Sequence, residues 1–217
     1  MKFFIIIYIA FSFASNDKIQ SELVSNQNWI FIKIQDKLTL STKSIKGYTL
    51  SGVRVESPVN IPLYNIQDVI LDINNYDSIL VSSKGIKTIE IERSNNSLIA
   101  YQFIPIDIPF MSDRHYFFNI KKNNIIEKEF NILIQWSLID HSNYSNNLEH
   151  NIENSIYLEN GSGVWITYQN ENGDTILSYR IFIDPGGWIP EIIIDKINEI
   201  SIINIFKDVI NEAHKRL

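Results

Sequence analysis

The 217-residue chain has no cysteine, only eight glycines and six prolines, and no run of five like charges. Without cysteine there can be no disulfide, thiol nucleophile, CxxC redox pair, cysteine-held zinc or iron–sulfur centre, and no lipoprotein anchor. The 19 Lys+Arg against 25 Asp+Glu leave a net charge of −6. The basic footprint of a nucleic-acid binder is therefore missing, and no nucleic-acid partner is expected. Enzyme signatures are also absent: HExxH, GxSxG, a glycine-rich phosphate loop and a calcium loop do not occur. The histidines His115, His141, His150 and His214 are scattered without ligand spacing. His141, Glu149 and His150 share one polar stretch, where such residues collect by chance. No metal and no cofactor is implied, so any chemistry must come from oxygen, nitrogen or apolar surface.

What is present is a 45% hydrophobic, 20% charged composition, that of one globular domain. Isoleucine makes up about one residue in five and asparagine about one in nine. Such a bias inflates β-branched content, so periodicity carries more weight here than isoleucine alone. At the N-terminus Lys2 precedes an apolar run from Phe3 to Phe13, and Ser12-Phe13-Ala14 places small residues at the positions a signal peptidase reads. The run is too short to span about 30 Å of bilayer. It predicts a signal peptide over residues 1–14, cleaved after Ala14, a mature domain over residues 15–217, and a secreted or periplasmic protein. No later segment reaches about 18 uninterrupted apolar residues. Three sequons, Asn95-Asn96-Ser97, Asn143-Tyr144-Ser145 and Asn160-Gly161-Ser162, matter only where secreted proteins are glycosylated.

Along the mature chain, an amphipathic opening (Lys18 to Asn28) leads to a predicted hairpin, Trp29–Gln35 and Leu38–Ile45 about a turn at Asp36-Lys37. Tyr48–Glu56 alternates, with Val53 and Val55 on one face and Arg54 and Glu56 on the solvent face. After Pro62, Leu63, Ile66, Val69, Ile70 and Ile73 follow at helical spacing and stop at Asn74-Asn75. Period-two segments then return at Ile86–Arg93, Leu98–Ile104, Arg114–Lys121, Glu129–Leu138, Gly163–Gln169 and Thr175–Ile183, with His141–Asn154 as a mobile polar loop. Beyond Asp184-Pro185-Gly186-Gly187 the period switches. Ile189, Ile193, Ile197 and Ile200, then Ile203, Phe206, Val209 and Ile210, form the stripe of a long C-terminal helix. A helix of that kind after an antiparallel meander can bury its stripe only against the sheet, which predicts an α+β architecture: a curved antiparallel sheet wrapped around the terminal helix.

Asp184-Pro185-Gly186-Gly187-Trp188-Ile189-Pro190 resembles the signature that joins the last strand to the C-terminal helix in START domains, the steroidogenic-acute-regulatory-related lipid-transfer family of the helix-grip, Bet v 1-like superfamily. Gly163-Val164-Trp165 with Thr175 and Tyr179, and Pro109 with Asp113-Arg114, are similar to further family segments. His115 departs from the pattern where the family commonly has aspartate. The resemblance covers about residues 20 to 215 and implies a helix-grip fold that binds a lipid or sterol-like molecule. The residues also explain the signature physically. Pro185 lacks an N–H and ends strand pairing, Gly186 and Gly187 permit a sharp reversal, and Pro190 suits a first helical turn. Pro185, Gly186, Gly187 and Pro190 are thus candidate hinge residues for a helical lid.

Strand parity gives the candidate lining. Leu177, Tyr179, Ile181 and Ile183 point inward opposite Ser178 and Arg180, as do Ile132, Ile134, Trp136 and Leu138 opposite Gln135 and Ser137. Ile99, Tyr101 and Phe103 take the inner face opposite Ala100 and Gln102. Arg114 falls on one face with Tyr116, Phe118 and Ile120, and a buried guanidinium needs a partner. Asp113, another carboxylate, or the polar head of a ligand could supply it. The candidate ligand-binding set is Tyr101, Phe103, Arg114, Tyr116, Trp136, Trp165, Tyr179, Ile193 and Ile197. The expected function is non-enzymatic binding and transfer of an apolar ligand by a monomer in transient contact with membranes. Two alternatives stay open: a cyclase- or hydrolase-like enzyme of the same superfamily, which needs inward carboxylate or histidine, and a filled-core domain acting through its surface.

Overall fold

The computed structural model describes residues 15–107, 111–126, 130–144, 152, 154–187, 189 and 191–217, with backbone alone at 124–126, 143 and 191–197. Residues 1–14, Pro109, Trp188 and Pro190 lie outside the described set, as does most of the expected loop between His141 and Asn154.

A helix over residues 15–24 (α1) leads to the expected hairpin of β1 (Ile30–Gln35) and β2 (Leu38–Ser44). Its two turn residues, Asp36 and Lys37, sit at φ 52° and 67°, the left-handed pair that a two-residue hairpin requires. Strand β3 (Ser51–Pro58) is followed by α2 (Leu63–Leu71), a 3₁₀ turn at Ile73–Asn75 and a short helix α3 (Tyr76–Ile79). The chain then crosses to the far edge of the sheet. From there β4 (Lys87–Arg93), β5 (Ser97–Ile104), β6 (Asp113–Ile126), β7 (Asn131–Ile139), β9 (Gly161–Gln169) and β10 (Thr175–Ile183) meander back until β10 lies beside β3. The order is β1-β2-β3-β10-β9-β7-β6-β5-β4, antiparallel throughout and not closed. The final helix α4 (Glu191–Lys215) leaves from β10 in the middle of the sheet. Its Ile202, Phe206, Val209 and Ala213 are buried against side chains from strands on both sides of β10.

One strand went unforeseen. β8 (Ser155–Tyr157) pairs in parallel with Asp113–His115 of β6, taking the lane beside β6 that β7 leaves beyond Phe117. Three residues are too few to show a period, and the register with β6 is what makes them a strand.

The outer face of the sheet is covered, which corrects the expectation that Arg54 and Glu56 face solvent. Ile19 and Leu23 of α1 pack on Val164, Ile166 and Phe182 in a second core. Arg180, fully buried, closes that layer. Its guanidinium donates to the carbonyls of Leu23 (3.0 Å) and Val24 (2.9 Å) and to Asn26 Oδ1 (2.6 Å). A cation at the carbonyl end of a helix is favourably placed. Burial lowers its pKa only to about 10, so it stays charged at neutral pH. Arg54, Arg180 and Lys43 lie 4.9, 5.7 and 5.8 Å from the Trp29 ring centroid, and Glu56 accepts from Tyr168 while pairing with Arg54 at 3.2 Å.

Candidate ligand cavity

Between the inner face of the sheet and α4 lies a cavity of about 250 Å³. Its floor is built by alternate residues of neighbouring strands: Arg114, Tyr116, Phe118 and Ile120 from β6, Trp136 from β7, Trp165 from β9, and Tyr179, Ile181 and Ile183 from β10. The roof is Asn198, Ser201, Ile202, Ile205 and Val209 of α4, and one side is closed by Ile70, Tyr76, Leu80, Ser83 and Ile86. Trp165 stacks on Tyr179 at 4.0 Å with an interplanar angle of 9°, and Phe206 of α4 continues the stack at 5.8 Å. This aromatic column sets how far the helix stands off the sheet. Gly163 has a local reason as well, since a Cβ there would fall 2.4 Å from the Trp136 indole. The strand opposite Trp136 must lack a side chain for that ring to lie flat in the floor.

The phenols of the cavity are neutral and satisfied. Tyr76 donates to the Ile70 carbonyl at 2.5 Å, Tyr116 bonds Gln102, and Gln102 donates to Thr88 at 2.9 Å. Burial raises the pKa of Tyr76, Tyr116 and Tyr179, so none ionises near neutral pH. Arg114 is the one charged lining residue among those described. Its partners are main-chain carbonyls: Nε donates to Pro185 at 2.7 Å, Nη1 to Ser112, and Nη2 to Gly186 at 3.4 Å. The Asp113 carboxylate accepts instead from the Ile106 N–H at 2.8 Å. Burial lowers the Arg114 pKa and the nearby Asp113 charge offsets part of that.

Arg114 therefore clamps the turn that precedes α4. Gly186 and Gly187 adopt φ 60° and 69°, and a Cβ on Gly187 would approach the Ile156 side chain to 3.0 Å. Asp184 caps the same turn by accepting from the Gly186 N–H at 3.0 Å. The candidate hinge residues Pro185, Gly186 and Gly187 are thus held in place, and Pro190 lies outside the described residues.

Of the predicted lining set, Arg114, Tyr116, Trp136, Trp165 and Tyr179 converge on the cavity. Ile193 and Ile197 belong to α4, but their side chains lie outside the described ones. Tyr101 and Phe103 are corrections. The inner face of β5 is Leu98, Ala100, Gln102 and Ile104, and Tyr101 is buried on the opposite face, 5.1 Å from Phe117 and 5.9 Å from His115. Ile99 and Phe103 share that outer parity. Buried Gln102 reads as a surface residue in sequence, while its bonds to Tyr116 and Thr88 are what allow it inside. Ile132 is a second correction. A register shift between Ile132 and Ile134 in the β7–β9 pairing turns Ile132 into the outer core and Leu133 into the inner one. Sequence reading also missed Tyr76 on α3, Ser83 in the turn before β4, and Asn198 and Ser201 on α4, all places where strand parity is silent.

No protein-family profile matches the sequence, and no curated protein does. Solved structures do share its fold. Human STARD10 superposes with a TM-score of 0.69 at 15% identity, covering 92% of this chain and 78% of that one. A STAR-related lipid transfer protein from Xanthomonas axonopodis gives 0.68 at 13%, covering 87% and 99%. The Zhui aromatase/cyclase from a Streptomyces species gives 0.50 at 12%, covering 76% and 94%.

Proposed function

Taking the shared fold of the STAR-related lipid transfer domains as premise, we propose that this protein binds an apolar small molecule between its sheet and α4, and carries it without chemical change. One observation carries the reading: a cavity of about 250 Å³ lined mostly by aliphatic side chains and aromatic rings, with no carboxylate or histidine among the described lining residues. Burial supplies the affinity, about 2.5 kcal/mol for each ~100 Å² of apolar ligand surface removed from water. A cyclase would need an acid or base facing the cavity, and neutral tyrosines such as Tyr76, bonded to the Ile70 carbonyl, and Tyr116, bonded to Gln102, do not offer one near neutral pH. The volume lies just under the ~300–1,000 Å³ usual for ligand pockets, which favours a small ligand over a two-chain lipid.

The proposal extends to delivery. Ser83, Asn198 and Ser201 are partly or fully exposed, so ligand passes between α4 and the segment around Leu80 to Ile86. Exchange at a membrane surface, a monomeric state and export after removal of residues 1–14 belong to the same reading. In that reading Asn16 lies near the N-terminus of the mature domain, where it is buried, donates to the carbonyls of Leu138 and Glu159, and accepts from Gly161.

Trp136 and Trp165 report on occupancy. Titration with a saturable apolar ligand is expected to shift tryptophan emission, and Ile205→Trp, which places an indole in the cavity, is expected to abolish uptake while preserving the melt. Equal uptake by both proteins would sink the proposal.

A further inference from the structure

Arg114 is buried, yet every bond it makes goes to a neutral group. Three of its five N–H groups donate to the carbonyls of Pro185, Ser112 and Gly186, which leaves two uncommitted among the described residues. The carboxylates at this end of the fold are engaged elsewhere. Asp113 accepts from the Ile106 N–H at 2.8 Å, Asp184 from the Gly186 N–H at 3.0 Å, and Asp208 from the N–H and hydroxyl of Ser82 at 3.0 and 3.2 Å. Main-chain dipoles lower the cost of burying the guanidinium without cancelling its charge, and a buried charge lacking a counter-ion is strongly disfavoured. The same end carries a second cation. Arg114 pairs with Ile104 across β5 and β6, and the turn before β4 closes on the adjoining Pro105, since a Cβ on Gly85 would fall 2.9 Å from its ring. Ser83 of that turn lines the cavity, and its neighbour Lys84 is exposed. From Arg114 the floor runs along β6 through Tyr116 and Phe118 to Ile120, where Trp136 lies opposite. Charge thus stands at one end of the floor, and apolar surface extends about 20 Å from it.

We infer that the cavity selects a monocarboxylate: a small amphiphile whose head is held by the free N–H groups of Arg114 and whose apolar part lies along Phe118, Ile120 and Trp136. This rests on the proposed function and narrows it to a ligand class. One negative charge matches the one uncompensated cation of the lining, and two coplanar oxygens match the planar guanidinium. A phosphate monoester would bring about −1.5 to −2 charges instead. The volume of about 250 Å³ confines the rest of the ligand to one short chain or a small ring system. Because the head takes N–H groups that the turn carbonyls do not use, binding leaves the clamp on the turn before α4 intact. Lys84 draws an anion to the mouth, and Arg114 replaces the water that the head loses inside.

The test uses four eight-carbon probes below their aggregation concentrations: octanoate, octanamide, 1-octanol and octyl phosphate. Binding is followed by calorimetry and by tryptophan emission on the intact protein at neutral pH. Octanoate is expected to bind at least about tenfold more tightly than octanamide, its neutral near-isostere, and than octanol, because its bonds to Arg114 are charge-assisted. Arg114→Gln keeps amide donors for the turn carbonyls but removes the charge, so it is expected to bring octanoate down to the level of octanamide, with a thermal melt confirming the fold. Lys84→Gln is expected to keep the preference for octanoate. Octanamide or octanol binding the intact protein as tightly as octanoate would overturn the inference whether or not Arg114→Gln folds. Octyl phosphate binding more tightly than octanoate would overturn it as well, as would a preference lost in Lys84→Gln and retained in Arg114→Gln. Failure of all four probes to bind would instead overturn the proposed function on which the inference rests.

Discussion

Arg114 shows how one side chain joins the site to the fold. It lies in the floor of the cavity, yet its three nitrogens hold the carbonyls of Ser112, Pro185 and Gly186. Removing it leaves those carbonyls without donors at about 1–3 kcal/mol apiece where they stay buried. Arg114→Ala is therefore expected to lower the melting temperature by several degrees and to loosen the turn before α4. Arg114→Lys restores charge but not the planar fork, so it should rescue only part of the loss. An Arg114→Ala protein with an unchanged melt and unchanged ligand uptake would remove this role. His115, the residue that departs from the family pattern, points the other way. It is buried beside Tyr101 and Tyr157 with His141 nearby, and its Nδ1 has no hydrogen-bond partner among the described residues. Burial first, and the His141 charge second, lower its pKa. The unfolded chain thus binds a proton more readily below about pH 6.5, so stability is complete above that value and falls as pH drops through it towards the lower folded value. In denaturant melts across pH 5–7, His115→Gln is expected to flatten this acid limb. An unchanged slope would show that another group sets it.

At the scale of elements, what was legible followed period and turn chemistry. The β1–β2 hairpin, β6, β10 and α4 each carry a clean pattern of their own, and the floor residues on β6, β9 and β10 fall where parity puts them. The failures share one physical cause, that facing depends on pairing partners a single strand does not contain. Tyr101 looked inward because its neighbours Ala100 and Gln102 are small or polar, but a second buried layer on the outer face gives a large ring somewhere else to go. Ile132 failed through a bulge, and β8 exists only through its register with β6. The edge strand β1 shows a different conflict. Ile30, Phe31, Ile32 and Ile34 are 63%, 60%, 43% and 67% exposed on a strand paired on one side only. A bulge between Phe31 and Lys33, and Lys33 itself, held by Glu199 at 2.9 Å, oppose pairing with another chain. Lys33→Val is accordingly expected to produce concentration-dependent association by light scattering, with little change in the thermal midpoint at low concentration. A variant as monodisperse as the parent would show that Lys33 does not guard this edge.

For the whole molecule, two cores on opposite faces of one open sheet divide the work. The outer core, closed by α1 and Arg180, fixes the sheet without disulfides. That leaves the inner face to hold α4 off the floor on the Trp165–Tyr179–Phe206 column, and the space so kept is the candidate site. The absence of cysteine then reads as a fold that relies on burial on both faces. The most direct test of this account is native mass spectrometry of the protein after incubation with a total lipid extract. The account predicts a single one-to-one adduct of a small apolar molecule on the parent protein and none on Ile205→Trp. A parent protein with no adduct, or an adduct equally abundant on Ile205→Trp, would contradict it.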